Sequence, residues 1–337
     1  MRSGILVGAG KLGRTLVILG VLGSLCLGVL ALTGAEWPSG RAAAAVAVAG
    51  GEQPPPQDYV DLRTVAPAAP APPNGPDAST GSFAEDCGRN AEGHRNSDNV
   101  VTSPGITDGA HHTHDYVGNL STNAFSTDAS LEAAPTTCTD GDRSTFYWPV
   151  LRRLDRSGGP GSGAHGNTGR ILEPVSVRVE FRGSPVSPVV PMPHGLRLLT
   201  GDPVAATSDG SLTRAAWGCS GLPGRSTELY PRCPEGSRLT RTLDFPSCWD
   251  GLHTDSPDHR DHAVFPAANG VCPHGTFAVP QLRVVVAYEM PSGAPFALDS
   301  FPEQRRSPVT EHAVFVDEMS DRQMARVADC LNQGRRC

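Results

Sequence analysis

Glycine and proline limit what this chain can fold into more than any other feature. The 337 residues hold 38 glycines and 31 prolines, about a fifth of the chain, against a usual share of about 12%. Glycine loses the most backbone entropy when it is fixed in an element, and proline lacks the donor that helices and sheet ladders need. A long coiled coil or an all-helical bundle is therefore excluded. Many turns and irregular stretches are expected. The length fits about two domains or one large β domain, and a hydrophobic fraction of 38% can still build a core.

The N-terminus sets the compartment. Residues 15–33 form an uninterrupted uncharged run, mostly apolar, preceded by Arg2, Lys11 and Arg14 with no acid. A basic start followed by an apolar run is a secretory signal, and 19 residues are also long enough to span a bilayer. Residues 1–49 are thus expected to be a signal peptide or an N-terminal membrane anchor, with Ala47-Val48-Ala49 as a small-residue cleavage site. The protein would be secreted or anchored to the outer face of the membrane, and would touch the membrane only through this segment. Gly8-Ala9-Gly10-Lys11-Leu12-Gly13 matches a dinucleotide-binding glycine pattern but opens no βαβ unit.

Lys11 is the only lysine, and it lies in this segment. The exported part has none, which excludes a Schiff-base lysine, pyridoxal phosphate chemistry and a P-loop. Residues 50–337 carry 24 basic and 34 acidic groups, a net of −10. That charge argues against neutralising nucleic-acid phosphates. Eight exported cysteines, an even number with no C-x-x-C, read as four disulfides. Their pairing stays open, with Cys330–Cys337 as a local clasp after the last helix.

Residues 50–81 carry Pro54-Pro55-Pro56 and Ala-Pro repeats, and are expected to form a semi-rigid polyproline spacer. Residues 82–337 form the candidate single domain, with a Gly-rich surface loop at 157–169. Residues 175–181 alternate apolar and polar strictly. Residues 282–288 are β-branched and mostly apolar, as in a central strand. Shorter strands are expected at 146–151 and 196–199. A helix is expected from Ser320, as cap, to about Gln333, with Met324, Val327, Ala328 and Leu331 on one face and Gly334 ending it. The predicted fold is mainly β, β-rich with long loops and few short helices, disulfide-stapled, of sandwich or jelly-roll type. A monomer is expected.

Two clusters carry the candidate chemistry. In Gly109-Ala110-His111-His112-Thr113-His114-Asp115, His112 and His114 are two apart and share one side of an extended strand, so both can reach one metal. In the stretch from Cys248 to His262, Ser256 before Pro257 starts a helical turn that would place His259 and His262 together. Asp255 and Asp258 lie beside them. The plainer alternative for each cluster is a set of hydrogen bonds that stiffen a loop. There is no G-x-S-x-G elbow.

These same strings resemble a known family. Phe245-Pro246-Ser247-Cys248-Trp249-Asp250-Gly251, then Asp255-Ser256-Pro257-Asp258-His259 and His262, are similar to the signature of the domain of unknown function 1996 family. So are Pro104-Gly105, His112-Thr113-His114 with Gly118-Asn119, Tyr147-Trp148-Pro149, Pro193-His194-Gly195-Leu196-Arg197, Gly201-Asp202-Pro203, Cys272-Pro273 and Pro280-Gln281-Leu282. The order is collinear over residues 82–331. Near the end the chain departs: Glu311-His312-Ala313-Val314-Phe315 lacks the Gly-Asp run expected before that histidine and the Gly-Trp after it, and no role is carried to His312. The resemblance implies an exported protein of fungal and actinobacterial type with no settled activity. Carbohydrate-binding domains attached to some fungal members imply work on cell walls or polysaccharides.

The sequence thus predicts action on, or binding to, an extracellular or cell-wall glycan, with a hydrolase as the enzymatic form. Asp255, Asp258 and His259 are the candidate acid/base residues. His112, His114, His259 and His262 are the candidate ligands of a zinc or copper ion. Trp249, Asp250 and Arg197 are the candidate substrate contacts, with Tyr147 and Trp148 as further sugar platforms. The rival expectation is a non-catalytic cell-wall structural or binding module.

Overall fold

The computed structural model describes residues 53–156 and 164–337. The expected export segment 1–49 and most of the Gly-rich loop lie outside the described residues. Two five-stranded antiparallel sheets form the body. The first has the order Trp217–Cys219, Leu239–Asp244, Gln281–Tyr288, Ser176–Arg182, Ser82–Glu85. The second has the order Arg95–Asn96, His114–Gly118, Thr145–Pro149, His312–Val316, Arg197–Gly201. Three smaller sheets decorate them, and no barrel closes among the described residues.

The two large sheets face each other across one core. Phe181 and Phe245 from the first side pack on Phe315 of the second, with ring centroids 6.3 Å apart in each pair. Leu243, Val284, Val286, Phe146, Trp148 and Leu198 join the same cluster. Burial on both faces is what a run of β-branched residues favours, and the strand Gln281–Tyr288 indeed takes the central place in its sheet. The opposite face of the second sheet carries a smaller cluster of Val100, Val101, Tyr116, Leu131, Tyr147, Leu199, Val314 and Val316, roofed by the long loop between residues 96 and 114.

One buried ion pair crosses between the sheets. Arg241, fully buried, donates to both Glu311 carboxylate oxygens at 2.5 and 2.6 Å, to the Pro149 carbonyl at 2.7 Å and to the Tyr288 hydroxyl at 3.2 Å. Its guanidinium also lies 5.3 Å from the Trp217 ring centroid. A buried charge of this kind persists only because it is paired and bonded through all three of its nitrogens.

Helix Asp321–Asn332 follows the expected pattern. Ser320 and Gln323 form a reciprocal capping box, and Met324, Val327, Ala328 and Leu331 are buried on one side. Four disulfides are present: Cys87–Cys138, Cys219–Cys233, Cys248–Cys272 and Cys330–Cys337. No helix of the described residues is long and apolar enough to cross a membrane.

The Pro-rich stretch differs from a free spacer over its described part. Tyr59–Asp61 pairs in parallel with Tyr230–Arg232, the Tyr59 hydroxyl donates to the Phe296 carbonyl at 2.6 Å, and Leu62 is fully buried. Backbone bonds from Ala68 to Gly224, Gly75 to Pro185 and Ser79 to Ser184 continue the contact. Extended proline-rich backbone has unpaired groups to offer, and here the body accepts them.

Two outcomes follow. Alkylation of the unreduced, denatured protein should label none of the eight cysteines from Cys87 to Cys337. Arg241→Met, which leaves Glu311 buried without its partner, should destabilise the domain by about 3–5 kcal/mol in denaturant unfolding; a change below about 1 kcal/mol would deny the pair its structural role.

Candidate metal centre

The site is built at one end of the outer face of the second sheet. His114 opens its strand and His312 opens the strand two places away, with Thr145–Pro149 between them. Side chains alternate along a strand, so His114 falls on the same face as Tyr116, and His312 on the same face as Val314. His112 folds in from the preceding loop. The ligand-capable nitrogens of His112, His114 and His312 all lie within 4.8 Å of one another. The rings of His112 and His114 are 4.6 Å apart, and those of His112 and His312 are 4.9 Å apart.

Hydrogen bonds fix how these rings present themselves. His114 Nδ1 donates to the Asp98 carbonyl at 3.1 Å, and His312 Nδ1 donates to the Thr310 carbonyl at 2.8 Å. A carbonyl only accepts, so each Nδ1 carries the hydrogen and each Nε2 keeps its lone pair. His114 Nε2 has no hydrogen-bond partner although it is buried. His312 Nε2 meets His112 Nε2 at 3.1 Å. A metal-binding histidine shows this same arrangement, with its other nitrogen tied to an acceptor.

All three rings are almost wholly buried, at 2%, 0% and 6% exposure. Burial holds the imidazoles neutral: His112 is pushed far below the usual histidine range, His114 to about 3 and His312 to about 4. Repulsion from the neighbouring histidines adds to the shift in His112 and His114, and the Arg241 charge adds to it in His114 and His312. Neutral imidazole is the form that ligates. Tyr147 lies against His114 at 5.1 Å, and Phe301 lies against His112 at 5.3 Å.

Supporting contacts hold this geometry from three sides. Glu311 Oε1 accepts from the His312 backbone N–H at 3.1 Å while it holds Arg241. Asp98 accepts from the Asp108 and Ala124 N–H groups and so shapes the covering loop. Buried Asp299 takes two bonds from Arg152, at 2.7 and 2.9 Å, and one from the Thr113 N–H at 3.4 Å. Gly201, paired with His312, has φ +74 and leaves no room for a Cβ, which would lie 2.0 Å from the Glu311 carbonyl and 2.8 Å from the His312 Cα.

The second histidine cluster goes elsewhere. His262 places Nε2 on the Arg197 carbonyl at 2.6 Å and Nδ1 on the Ser256 hydroxyl at 2.9 Å, so both nitrogens are engaged. His259 pairs with Asp255 at 2.9 Å. The expected ligand set His112, His114, His259 and His262 is therefore corrected: the first two meet His312, and the last two close their own loop. Asp258 accepts from the Arg260 and Asp261 N–H groups and from Ser256. Those bonds, the Asp261 N–H foremost, hold its carboxyl well below the usual range. Asp258 is an ionised turn cap at neutral pH, so of the expected acid/base pair it does not suit the acid half.

The expected substrate contacts are spread out. Arg197 is paired with Val316, at the opposite end of that strand pair from His312, and binds Asp128 at 2.5 Å. Trp249 pairs with Phe277 across two short strands. Trp249 is half-buried and donates its indole N–H to the His253 carbonyl at 2.7 Å, while Phe277 and Leu252 are 54% and 79% exposed. Asp250 holds His253 at 2.7 Å. Tyr147 and Trp148 are core residues, at 0% and 1% exposure, and are no sugar platforms. Glu318, which the sequence did not single out, sits 3.3 Å from His194, and burial raises its carboxyl to about 7.

The family model described as domain of unknown function (DUF1996) matches residues 98–315, about two thirds of the chain. The protein belongs to that family. All three histidines of the centre, and the loop that roofs them, lie inside the matched stretch. No curated protein matches the chain, and no solved structure does.

The neutral, buried state of His114 has a pH signature. Its folded pKa is depressed, so below about pH 6.5 the unfolded chain binds a proton that the folded chain refuses. The stability of the native chain minus that of a His114→Gln chain, both metal-free, should therefore rise between about pH 4 and 6.5, by up to ~1.4 kcal/mol per unit, and level off above. A flat difference would place a charged or exposed histidine at this position.

Proposed function

We propose that the protein is an exported metalloprotein that acts on an extracellular polysaccharide, with one zinc or copper ion held by His112, His114 and His312. One observation carries this reading: three buried, neutral imidazoles converge within 4.8 Å, and the Nε2 of His114 is left without a partner. A buried polar atom without a partner costs about 1–3 kcal/mol, and a metal ion would satisfy it. Nitrogen ligands suit zinc and copper, and three protein ligands leave a coordination position for water or substrate. The metal would supply Lewis acidity and an acidified bound water. This chain's own residues orient and hold the ligands: Asp98 and Thr310 through their carbonyls, Glu311 through the His312 backbone.

The glycan part rests on different features. Four disulfides and the basic-then-apolar N-terminus support export. Exposed Phe277 and Leu252, with half-buried Trp249 and Asp250 beside them, offer an apolar surface with a carboxylate near it, which suits a sugar ring. A second reading is favoured by the near-complete enclosure of the histidines, at most 6% exposed. In it the metal is structural and the domain is a non-catalytic wall-binding module.

The test separates these. Protein purified without a histidine tag and reloaded should hold close to one equivalent of zinc or copper. His114→Ala should hold less than about a tenth of that, by the 10-fold or greater loss expected on removing a ligand or its support. Sugar released from arabinogalactan, peptidoglycan, chitin or β-glucan by the native chain but not by His114→Ala supports the enzyme. Glycan binding without release, weakened several-fold by Trp249→Ala, supports the module. No metal even after reloading would reject the metal centre.

A further inference from the structure

A second group of ligating atoms lies apart from the histidines and has a different chemistry. Glu85 ends the edge strand Ser82–Glu85, and Asp142 lies in the loop that the Cys87–Cys138 bridge ties to that strand. A carboxylate oxygen of each lies within 4.8 Å of the other. Both residues are buried, at 6% and 0% exposure. Glu85 Oε2 and Asp142 Oδ2 have no hydrogen-bond partner. Asp317, fully buried at the end of a second-sheet strand, approaches from the other side. Its Oδ1 and the Oδ1 of Asp142 share the Ser144 hydroxyl, at 3.4 and 2.6 Å, and its Oδ2 is also unpartnered.

Three buried carboxylates, each with a free oxygen, are not a stable arrangement by themselves. Like charges this close cannot all ionise in a dry site. Burial pushes all three carboxyls up, Asp142 to about 6, Glu85 to about 10 and Asp317 far above the ordinary range; the Asp142 charge adds to the shift at Glu85 and Asp317, and the Asp140 charge adds to it at Glu85 and Asp142. The Arg326 charge lowers Glu85 only in part, and Arg143 turns away to the Ala134 carbonyl. The compensation must be either protons or a cation. The sulfurs beside Glu85 and Asp142 are bonded to each other and offer no thiolate, so the donor set is all oxygen. Oxygen-only donors select a hard ion over zinc or copper. Asp140, exposed, shares a side-chain hydrogen bond with Glu85 and adds a carboxylate on the solvent side.

We propose that Glu85 and Asp142, with Asp140 on the solvent side and Asp317 behind Ser144, form a site for one divalent cation of the calcium class. The ion joins the strand Ser82–Glu85 to the loop around Asp142, and that loop in turn touches the helix Asp321–Asn332. Gln323 of that helix already donates to the Asp140 carbonyl. The site is structural, it is independent of the histidine centre, and its affinity falls in the range of extracellular calcium modules, a Kd of about 10⁻⁴–10⁻³ M.

The full chain, stripped with EDTA and returned to pH 7.5, is titrated with calcium chloride by calorimetry and melted with and without 5 mM calcium. One equivalent should bind, and the melting midpoint should rise by roughly 3 °C or more. Asp142→Asn and Glu85→Gln, which copy the protonated form, should fold and lose calcium affinity at least tenfold. His114→Ala should keep the calcium response. Absence of heat and of any midpoint shift with calcium, magnesium or manganese in the native chain would overturn the proposal and leave a proton-sharing carboxyl cluster. So would Asn and Gln variants that bind calcium as tightly as the native chain. Should either variant fail to fold, the native titration alone decides.

Discussion

The pair between Arg241 and Glu311 is the contact on which the rest of the structure turns. Arg241 comes from the first sheet and Glu311 from the residue before a second-sheet strand, so the bond fixes how the two sheets meet. The same guanidinium takes the Pro149 carbonyl, at the end of the strand that separates His114 from His312. Glu311 in turn holds the His312 backbone. One buried cation thus sets the spacing of the sandwich and the place of the third histidine. Its charge also discourages protonation of His114 and His312, which keeps both as ligands.

The two candidate cation sites follow opposite rules. The histidine centre is neutral, nitrogen-rich and enclosed, and burial lowers its proton affinity. The Glu85–Asp142–Asp317 group is acidic and oxygen-only, and burial raises its proton affinity. Low pH therefore favours the folded carboxyl group and disfavours the folded histidines. A metal of matching hardness at each site would remove both penalties.

Much of the fold was legible because local pattern and global place agree. The apolar, β-branched run at 282–288 became the central strand, the capped periodic stretch after Ser320 became the long helix, and the even cysteine count became four bridges. The pairing of His112 with His114 was legible from alternation alone. His312 was not, because its contact with His112 spans 200 residues and depends on strand order. His259 and His262 looked equally suitable in sequence, but their neighbours Asp255 and Ser256 satisfy them locally. The contacts of the Pro-rich stretch were not legible for a physical reason: extended backbone has the same sequence signature whether it is solvated or laid on a surface. The acidic group was invisible because its members are separated by more than 50 residues and none stands out alone.

The histidine centre is defined by the identity of its third ligand. Zinc affinity should be measured in parallel for the native chain, His312→Ala and His262→Ala, with folding checked by the disulfide map. The structure predicts that His312→Ala loses at least tenfold while His262→Ala binds as the native chain does. Loss in His262→Ala with retention in His312→Ala would contradict the centre described here and return the ligand set to the one the sequence first suggested.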